Sequence, residues 1–250
     1  MLIKNIKKHL LCTICAKINS KGLKGKNIKI LGGYPIIYYA IKKAKDSKLK
    51  NICLATDSIK IQKIANKFGV KSFYKRSKNL SKQDIPKLDV WKDAIIKSEK
   101  FYRRKFKFLL DIEVTNPLTS SRDLENFLHF SAKVLNKVDG IFCVMPSRRN
   151  PYFNIFIKKK NGYRLCIHEK KRNIFSRQKA PTTYDHVGGF YLFKINYLKK
   201  CKNFLNGKTA GYMLPFGKNI DIDDINDFKL AKLFFEKKYY RKKNYKFYNR

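Results

Sequence analysis

The chain has 250 residues, and its 58 lysines and arginines outnumber its 18 aspartates and glutamates, which gives a formal net charge of +40. A hydrophobic fraction of 44% is sufficient for the core of one large α/β domain. No apolar run is long enough for a transmembrane helix, and the basic residues spread along the chain instead of forming one stripe. We therefore expect neither a membrane span nor nucleic-acid binding.

Apolar runs alternate with segments of helical period, which is the pattern of a doubly wound α/β fold with a parallel sheet. Asn161-Gly162 lies between two apolar segments and predicts a β-hairpin. We interpret 1–240 as a single domain with a hairpin subdomain at 151–185, followed by a basic tail at 241–250. Strands are predicted at 10–17, 51–56, 70–74, 106–114, 140–146, 187–193 and 210–214. Helices are predicted at 34–46, 58–68, 87–101, 121–137 and 224–240.

The segment from Ser20 to Asn27 follows the first predicted strand and contains two glycines and three lysines. At the carboxyl end of a buried strand, such a turn brings backbone N–H groups and ammonium groups to one point, where α/β proteins bind ligands. That chemistry suits a polyphosphate. Taken alone, the segment fits a solvated turn equally well, and it matches neither the dinucleotide-binding nor the P-loop pattern.

Asp221 and Asp223 are two positions apart on a short segment that is predicted to be extended, so their carboxylates face the same side. Two carboxylates beside a triphosphate are ligands that Mg²⁺ prefers. The alternative is structural, because Asp224 can cap the helix that follows and its acidic neighbours would favour the positive end of that helix.

Six segments in order resemble motifs of the acylneuraminate cytidylyltransferases. Residues 16–27 resemble the opening A-R-x-x-S-K-G-L-x-x-K-N of that family. The others are Ala55-Thr56-Asp57-Ser58 (S-T-D-S), Arg76 with Leu80 and Asp84 (R-P-x-x-L-x-x-D), Thr115-Asn116-Pro117-Leu118 (T-S-P-L), Arg177-Gln178 with Pro181 (R-Q-x-x-P) and Asn219-Ile220-Asp221-Ile222-Asp223 (S-I-D-I-D).

The resemblance implies a three-layer α/β/α Rossmann-like nucleotidyltransferase of the nucleotide-diphospho-sugar transferase type, with a mostly parallel mixed sheet. It implies transfer of CMP from CTP to a nine-carbon keto-acid sugar, with release of pyrophosphate, Mg²⁺ as cofactor and a homodimer. The implied catalytic residues are Lys17, Lys26, Asp221 and Asp223, of which Asp221 and Asp223 would bind the metal. The implied nucleotide-binding residues are Ala16, Lys17, Ser20, Lys21, Gly22, Lys26, Asn27 and Arg76.

Three positions depart from the pattern of this family. Lys17 replaces an arginine that contacts the nucleotide phosphates, so the charge stays but the bidentate fork is lost. Glu113 replaces a glutamine, and its carboxylate can accept hydrogen bonds from hydroxyl or amide groups but would repel a substrate carboxylate. Thr119 replaces an arginine. Glu113, Thr115 and Arg177 are the candidate sugar-binding residues, with Arg177 meeting the sugar carboxylate.

The six cysteines fall mostly in predicted strands, which indicates reduced core residues and a cytoplasmic protein. Two other functions stay open. One is the same fold acting on another nucleotide or sugar, for example a 3-deoxy-octulosonate enzyme. The other is a non-enzymatic homologue that binds RNA or another polyanion, suggested by the charge and by the three departures.

Overall fold

A six-stranded mixed sheet organises the molecule, which was analysed as a computed structural model that describes residues 3–19, 22–167, 174 and 176–236. The strands of these residues are β1 (Leu10–Cys15), β2 (Ile30–Leu31), β3 (Tyr34–Pro35), β4 (Ile52–Ala55), β5 (Phe108–Ile112), β6 (Gly140–Pro146), β7 (Phe156–Lys159), β8 (Gly162–Leu165), β9 (Tyr184–Lys194) and β10 (Thr209–Met213). The central sheet has the order β10-β6-β9-β5-β1-β4. Strand β9 runs antiparallel to both of its neighbours, and the other pairs are parallel. The predicted mixed, mostly parallel sheet is confirmed.

Helices cover both faces of this sheet. They are α1 (Ile3–Lys8), α2 (Ile36–Asp46), α3 (Ile59–Lys67), α4 (Lys87–Tyr102), α5 (Ser121–Val134), α6 (Ile195–Lys200) and α7 (Ile225–Phe235). One core cluster joins the sheet to α2, α3 and α5, and a second cluster around the fully buried Trp91 joins it to α4 and α6. The three predicted layers are therefore present. None of the helices in the described ranges is long and apolar enough to cross a membrane.

The predicted strand at 70–74 is wrong. Val70 and Tyr74 are buried, as in a strand, but the backbone of this segment joins no ladder. A single parallel bridge between Thr56 and Lys75 is its contact with the edge of the sheet. The apolar pattern predicted the burial of these side chains correctly. It predicted strand pairing of the backbone incorrectly, because side chains can be buried without ladder hydrogen bonds.

Short elements were missed and several boundaries differ from the prediction. Helices α1 and α6 have six residues each, which is too short for a helical period to show in the sequence. Helix α2 begins at Ile36 instead of residue 34, because Tyr34 and Pro35 pair with Ile30 and Leu31 in a two-stranded hairpin. The predicted end of the last helix at 237–240 and the tail at 241–250 lie outside the described residues.

The hairpin predicted around Asn161-Gly162 is present as β7 and β8, which pair antiparallel with Lys159 opposite Gly162. Gly162 has a φ of 97°, a left-handed conformation that glycine adopts without strain. Several apolar side chains of this hairpin face solvent, among them Phe156 at 54% and Tyr163 at 63% exposure. Almost every residue of its two strands is exposed.

Candidate active site

The loop after β1 lies at the carboxyl end of the parallel strands, and side chains from neighbouring segments hold its shape. The amide of Ile18 donates to Oδ1 of Asp57 over 3.0 Å. The Nδ2 atom of Asn27, which is buried, donates to the carbonyl oxygen of Lys17 over 2.8 Å. Asn27 thus closes the loop on itself. Ser20 and Lys21, two of the predicted nucleotide-binding residues, lie outside the described residues.

The early loop and the late acidic segment meet directly. The Nζ atom of Lys26 lies 2.8 Å from Oδ1 of Asp223 and 2.8 Å from the carbonyl oxygen of Ile222. Gly22 packs so closely against this segment that a Cβ on it would lie 2.2 Å from the carbonyl oxygen of Asp223. Residues about two hundred positions apart in the sequence therefore form one wall of a shared site.

Asp221 lies half-buried beside this wall. The Ile222 amide donates to the carbonyl oxygen of Thr115 over 2.8 Å, which joins the acidic segment to the loop after β5. Burial raises the pKa of Asp221, Thr115 opposes that shift by hydrogen bonding, and the charge of Asp223 adds to it. Gly188 allows β9 to approach, since a Cβ there would lie 3.0 Å from Oδ2 of Asp221.

The acidic pair could hold Mg²⁺. Within the described ranges, Oδ1 of Asp221 is buried and has no hydrogen-bond partner, and the same is true of Oδ1 of Asn116, whose Nδ2 donates to Gly188. Asp223 is exposed. These residues contain no cluster of three or more His, Cys, Asp or Glu side chains, but Mg²⁺ typically takes only one or two carboxylates from protein. An unpaired buried carboxylate oxygen beside an exposed one therefore fits this ion.

The helix cap predicted at Asp224 is confirmed. Oδ1 of Asp224 accepts hydrogen bonds from the amides of Asn226 and Asp227. The side chain of Asp227 accepts from the amides of Asp223 and Asp224, which completes a capping box at the start of α7. Asp224 caps the helix, so Asp221 and Asp223 are left for a ligand.

Lys17 and Arg76 add positive charge on the other side of the loop. The pKa of Lys17 is lowered by burial and then by the charge of Arg76, while Asp57 acts in the opposite direction. The Nε atom of Arg76 donates to the carbonyl oxygen of Leu80 over 2.7 Å. The backbone amide of Arg76 donates to the carbonyl oxygen of Thr56. The structure therefore holds this guanidinium in place close to the lysines of the loop.

A charged cluster behind the site was not predicted from the sequence. The Nζ atom of Lys87 lies 2.8 Å from Oδ2 of Asp111, and it also bonds to Oε2 of Glu113. Burial opposes the charge on Lys87, but the two carboxylates outweigh it and raise its pKa well above the ordinary value. Burial raises the pKa of Glu113, with Lys87 opposing, and the charges of Asp111 and Asp221 raise it further. Asp111 was missed because an aspartate inside an apolar run gives no periodic signal.

Arg177 forms its hydrogen bond with a residue outside the groups described so far. It is exposed at the start of a short 3₁₀ turn, and its Nη2 atom lies 3.5 Å from the carbonyl oxygen of Ser147. This contact leads toward the start of the hairpin region, not to the acidic segment. The role of Arg177 toward a sugar carboxylate stays a prediction.

Lys43 explains why a threonine can stand at position 119. Its buried Nζ donates to Oγ1 of Thr119 over 2.6 Å and to the carbonyl oxygen of Asn116 over 2.9 Å. A second cation at position 119 would lie against this ammonium. Burial lowers the pKa of Lys43 from 10.5 to about 7, although the charge of Asp123 opposes the shift. Lys43 therefore ties α2 to the loop after β5.

We expect the stability contributed by Lys43 to depend on pH. Because its folded-state pKa lies below its unfolded value, the unfolded chain binds more protons between about pH 7 and pH 10, and the folded state gains stability as pH rises. Wild type should therefore gain up to about 1.4 kcal/mol per pH unit relative to Lys43→Met above about pH 7. Denaturant unfolding at several pH values measures this, with the exposed neighbour Lys42→Met as control. A difference in unfolding free energy that does not change with pH would contradict it.

The order and direction of the strands define the fold class. Solved structures with this fold include CMP:2-keto-3-deoxy-manno-octonic acid synthetase complexed with CTP, at a TM-score of 0.63 and 14% identity over 91% of this chain and 98% of that one. A cytidylyltransferase from Leptospira borgpetersenii aligns at a TM-score of 0.55 and 17% identity over 90% of this chain and 85% of that one. At these identities the likeness shows the fold alone, which is that of nucleotidyltransferases.

Sequence comparison narrows the class to a family. The family model described as cytidylyltransferase matches residues 11–244, so the chain belongs to the cytidylyltransferase family and is an enzyme of that kind. It is 35% identical to the "Post-translational flagellin modification protein B" of Campylobacter coli, over 95% of this chain and 99% of that protein. It is 34% identical to the "CMP-N,N'-diacetyllegionaminic acid synthase" of Campylobacter jejuni, over 89% of this chain and 93% of that protein. Similarity to the N-acylneuraminate cytidylyltransferase of Streptococcus agalactiae is 27% over 95% of this chain and 56% of that protein.

Proposed function

We propose that the protein transfers CMP from CTP to a sialic acid or a related nine-carbon keto acid and releases pyrophosphate. The observation that carries the proposal is the meeting of Lys26 with Asp223 in one site. A lysine-rich loop alone binds many anions, and an acidic pair alone binds many cations. Together they suit a triphosphate with its divalent ion. The relatives named as a legionaminic acid synthase and as N-acylneuraminate cytidylyltransferases support a nonulosonic acid as the acceptor.

The chain's own residues would act mainly by positioning and by balancing charge, as is general for transfer at phosphorus. Lys17, Lys26 and the backbone at Gly22 would hold the triphosphate, together with Ser20 and Lys21. Lys26 would exchange its contact with Asp223 for a phosphate oxygen when CTP binds. Ala16, Asn27 and Arg76 would shape the nucleotide side of the site.

Asp221 and Asp223 would hold Mg²⁺, which supplies neutralising charge on the triphosphate when it is bound. A carboxylate of this pair, for example Asp221, would accept the proton of the attacking hydroxyl. Glu113, Thr115 and Arg177 would bind the acceptor sugar. Of these, Thr115 is the residue whose backbone contacts the acidic segment.

We further propose a homodimer formed through the region 151–185, whose exposed Phe156 and Tyr163 are apolar surface that a second copy would cover. The rest of residues 1–240 would form the one catalytic domain. We place the enzyme in the cytoplasm, where CTP is available and where the thiols of its six cysteines, which are all free, would stay reduced.

Pyrophosphate release tests the function directly. The purified protein is expected to release pyrophosphate from CTP only when Mg²⁺ and a nonulosonic acid are both present. UTP, GTP and ATP should give rates at least about tenfold lower, and a 3-deoxy-octulosonate acceptor should be poorer than a nine-carbon one. Turnover that prefers another nucleotide, or RNA binding at moderate salt without any turnover, would contradict the proposal.

A further inference from the structure

The chain of charges formed by Asp111, Lys87 and Glu113 connects the sheet interior to the candidate active site. Asp111 is fully buried on the central strand β5, where its Oδ1 accepts a hydrogen bond of 2.6 Å from Oγ1 of Thr13. Its Oδ2 faces Lys87, which in turn bonds to Glu113. Fixed at its inner end by the sheet, this chain leaves Glu113 little freedom at its outer end.

Several contacts position the ammonium of Lys87. The residue is the first of α4, where the positive end of the helix disfavours a cation. The Nζ atom lies 4.6 Å from the ring centroid of Tyr191 and 5.5 Å from that of Trp91, so two aromatic faces add to the attraction of the two carboxylates. A lysine at an unfavourable helix position, held by four groups, indicates a specific role.

Glu113 stands at the outer end of this chain, where a ligand can reach it. Its amide donates to the carbonyl oxygen of Gly189, directly after the Gly188 that approaches Asp221, and the charge of Asp221 acts on Glu113. Its side chain is 22% exposed. With Oε2 engaged by Lys87, Oε1 of this carboxylate is the oxygen left to accept a hydrogen bond from a ligand. The charges of Glu113 and Asp221 also act on each other in this part of the site.

We propose that Lys87 is a positioning residue that fixes Glu113 as a specificity-determining acceptor for an uncharged N–H or O–H donor on the sugar. The inference rests on the proposed function and extends it to the chemistry of the acceptor. The carboxylate of the sugar is directed away from Glu113, because like charges repel in a poorly solvated pocket. A sugar that lacks the donor leaves the Glu113 carboxylate unpaired, which a polar site discriminates against strongly.

A substrate-by-variant comparison tests the proposal. The acceptors are one nonulosonic acid and its analogues in which a single hydroxyl or acylamino group is replaced by hydrogen. For wild type, we expect one analogue to lose about 100-fold in kcat/KM. For Glu113→Ala, the same replacement should lose less than about threefold, because the partner of the donor is already gone. The KM of Glu113→Ala for CTP should stay within about threefold of the wild-type value.

Lys87 is tested by two substitutions and a matched control. Lys87→Met should weaken the discrimination to below about tenfold, whereas Lys87→Arg, which keeps a cation between the carboxylates, should restore most of it. Lys97→Met, at an exposed position of the same helix, should behave as wild type. Thermal unfolding of each variant identifies loss of folding, and if Lys87→Met is unfolded, Lys87→Arg and Glu113→Ala decide the outcome.

Each result separates this inference from the proposed function. No turnover of any nonulosonic acid by wild type would overturn both. Normal wild-type turnover with no sensitive analogue, or with an analogue effect that Glu113→Ala leaves unchanged, would overturn the inference alone. A change confined to thermal stability in the Lys87 variants would show that the lysine is structural and would overturn its positioning role.

Discussion

Replacing Asp223 by alanine is expected to abolish CMP transfer while the fold stays intact. The carboxylate is 77% exposed, and Lys26 keeps its hydrogen bond to the carbonyl oxygen of Ile222 when it is removed, so the free energy of unfolding should change by less than about 1 kcal/mol. Its loss leaves Asp221 as the sole acidic ligand of the proposed site and removes one of the two groups that hold Lys26. We expect kcat/KM for CTP to fall at least about 1000-fold.

The matched control is the next residue in the chain. Asp224→Asn removes a charge from the same segment but retains an oxygen that can cap α7. It should keep activity within about fivefold of wild type. Pyrophosphate release measures both variants, and thermal unfolding checks the fold. An Asp223→Ala protein that retains a substantial fraction of wild-type turnover would contradict the assignment of Asp223 as a metal ligand.

Gly22→Ala is expected to lower kcat/KM about 100-fold by geometry alone. The new methyl group would lie 2.2 Å from the carbonyl oxygen of Asp223, far inside van der Waals contact, and the obstacle is backbone that cannot rotate away. Either the early loop or the acidic segment must move, which separates Lys26 from Asp223. A displacement of about 1 Å at a site that works by positioning costs about 100-fold in kcat/KM.

A second glycine in the same part of the chain provides the control. Gly33 adopts a φ of +87°, and a Cβ there would meet no atom within 4 Å. Gly33→Asn, with a side chain that tolerates this conformation, should therefore keep nearly full activity. Steady-state kinetics with CTP and the best acceptor compare the two variants. Equal activity in Gly22→Ala and wild type would show that the two segments are not in functional contact.

Local sequence patterns predicted the layers of this fold well, because buried helices and buried strands space their apolar residues differently along the chain. The helices α2 to α5 and the hairpin at Asn161-Gly162 were found this way. Antiparallel insertion of β9 between β5 and β6 was not, since strand direction depends on connections and not on apolar period. The strand predicted at 70–74 was wrong for another reason, because side chains can be buried without ladder hydrogen bonds.

The candidate site also has a part that local sequence predicted and a part that it did not. Its contiguous pieces, the lysine loop and the Asp221–Asp223 pair, could be recognised as motifs in the sequence. The structure adds the contact between Lys26 and Asp223, which joins them. The sequence does not distinguish Lys87 and Lys43 from the many other lysines of the chain. What distinguishes them is burial beside carboxylates or carbonyl oxygens, a property of the folded chain that composition and spacing do not carry.

The contact between Lys26 and Asp223 can form only late in the synthesis of the chain, because the two residues are about two hundred positions apart in the sequence. As the chain leaves the ribosome, β1 and its loop emerge first, and the five other strands of the central sheet are synthesised before Asp223. During that interval Lys26 lacks its carboxylate partner. A nascent chain stalled before residue 223 therefore contains all six strands of the central sheet but not the complete site.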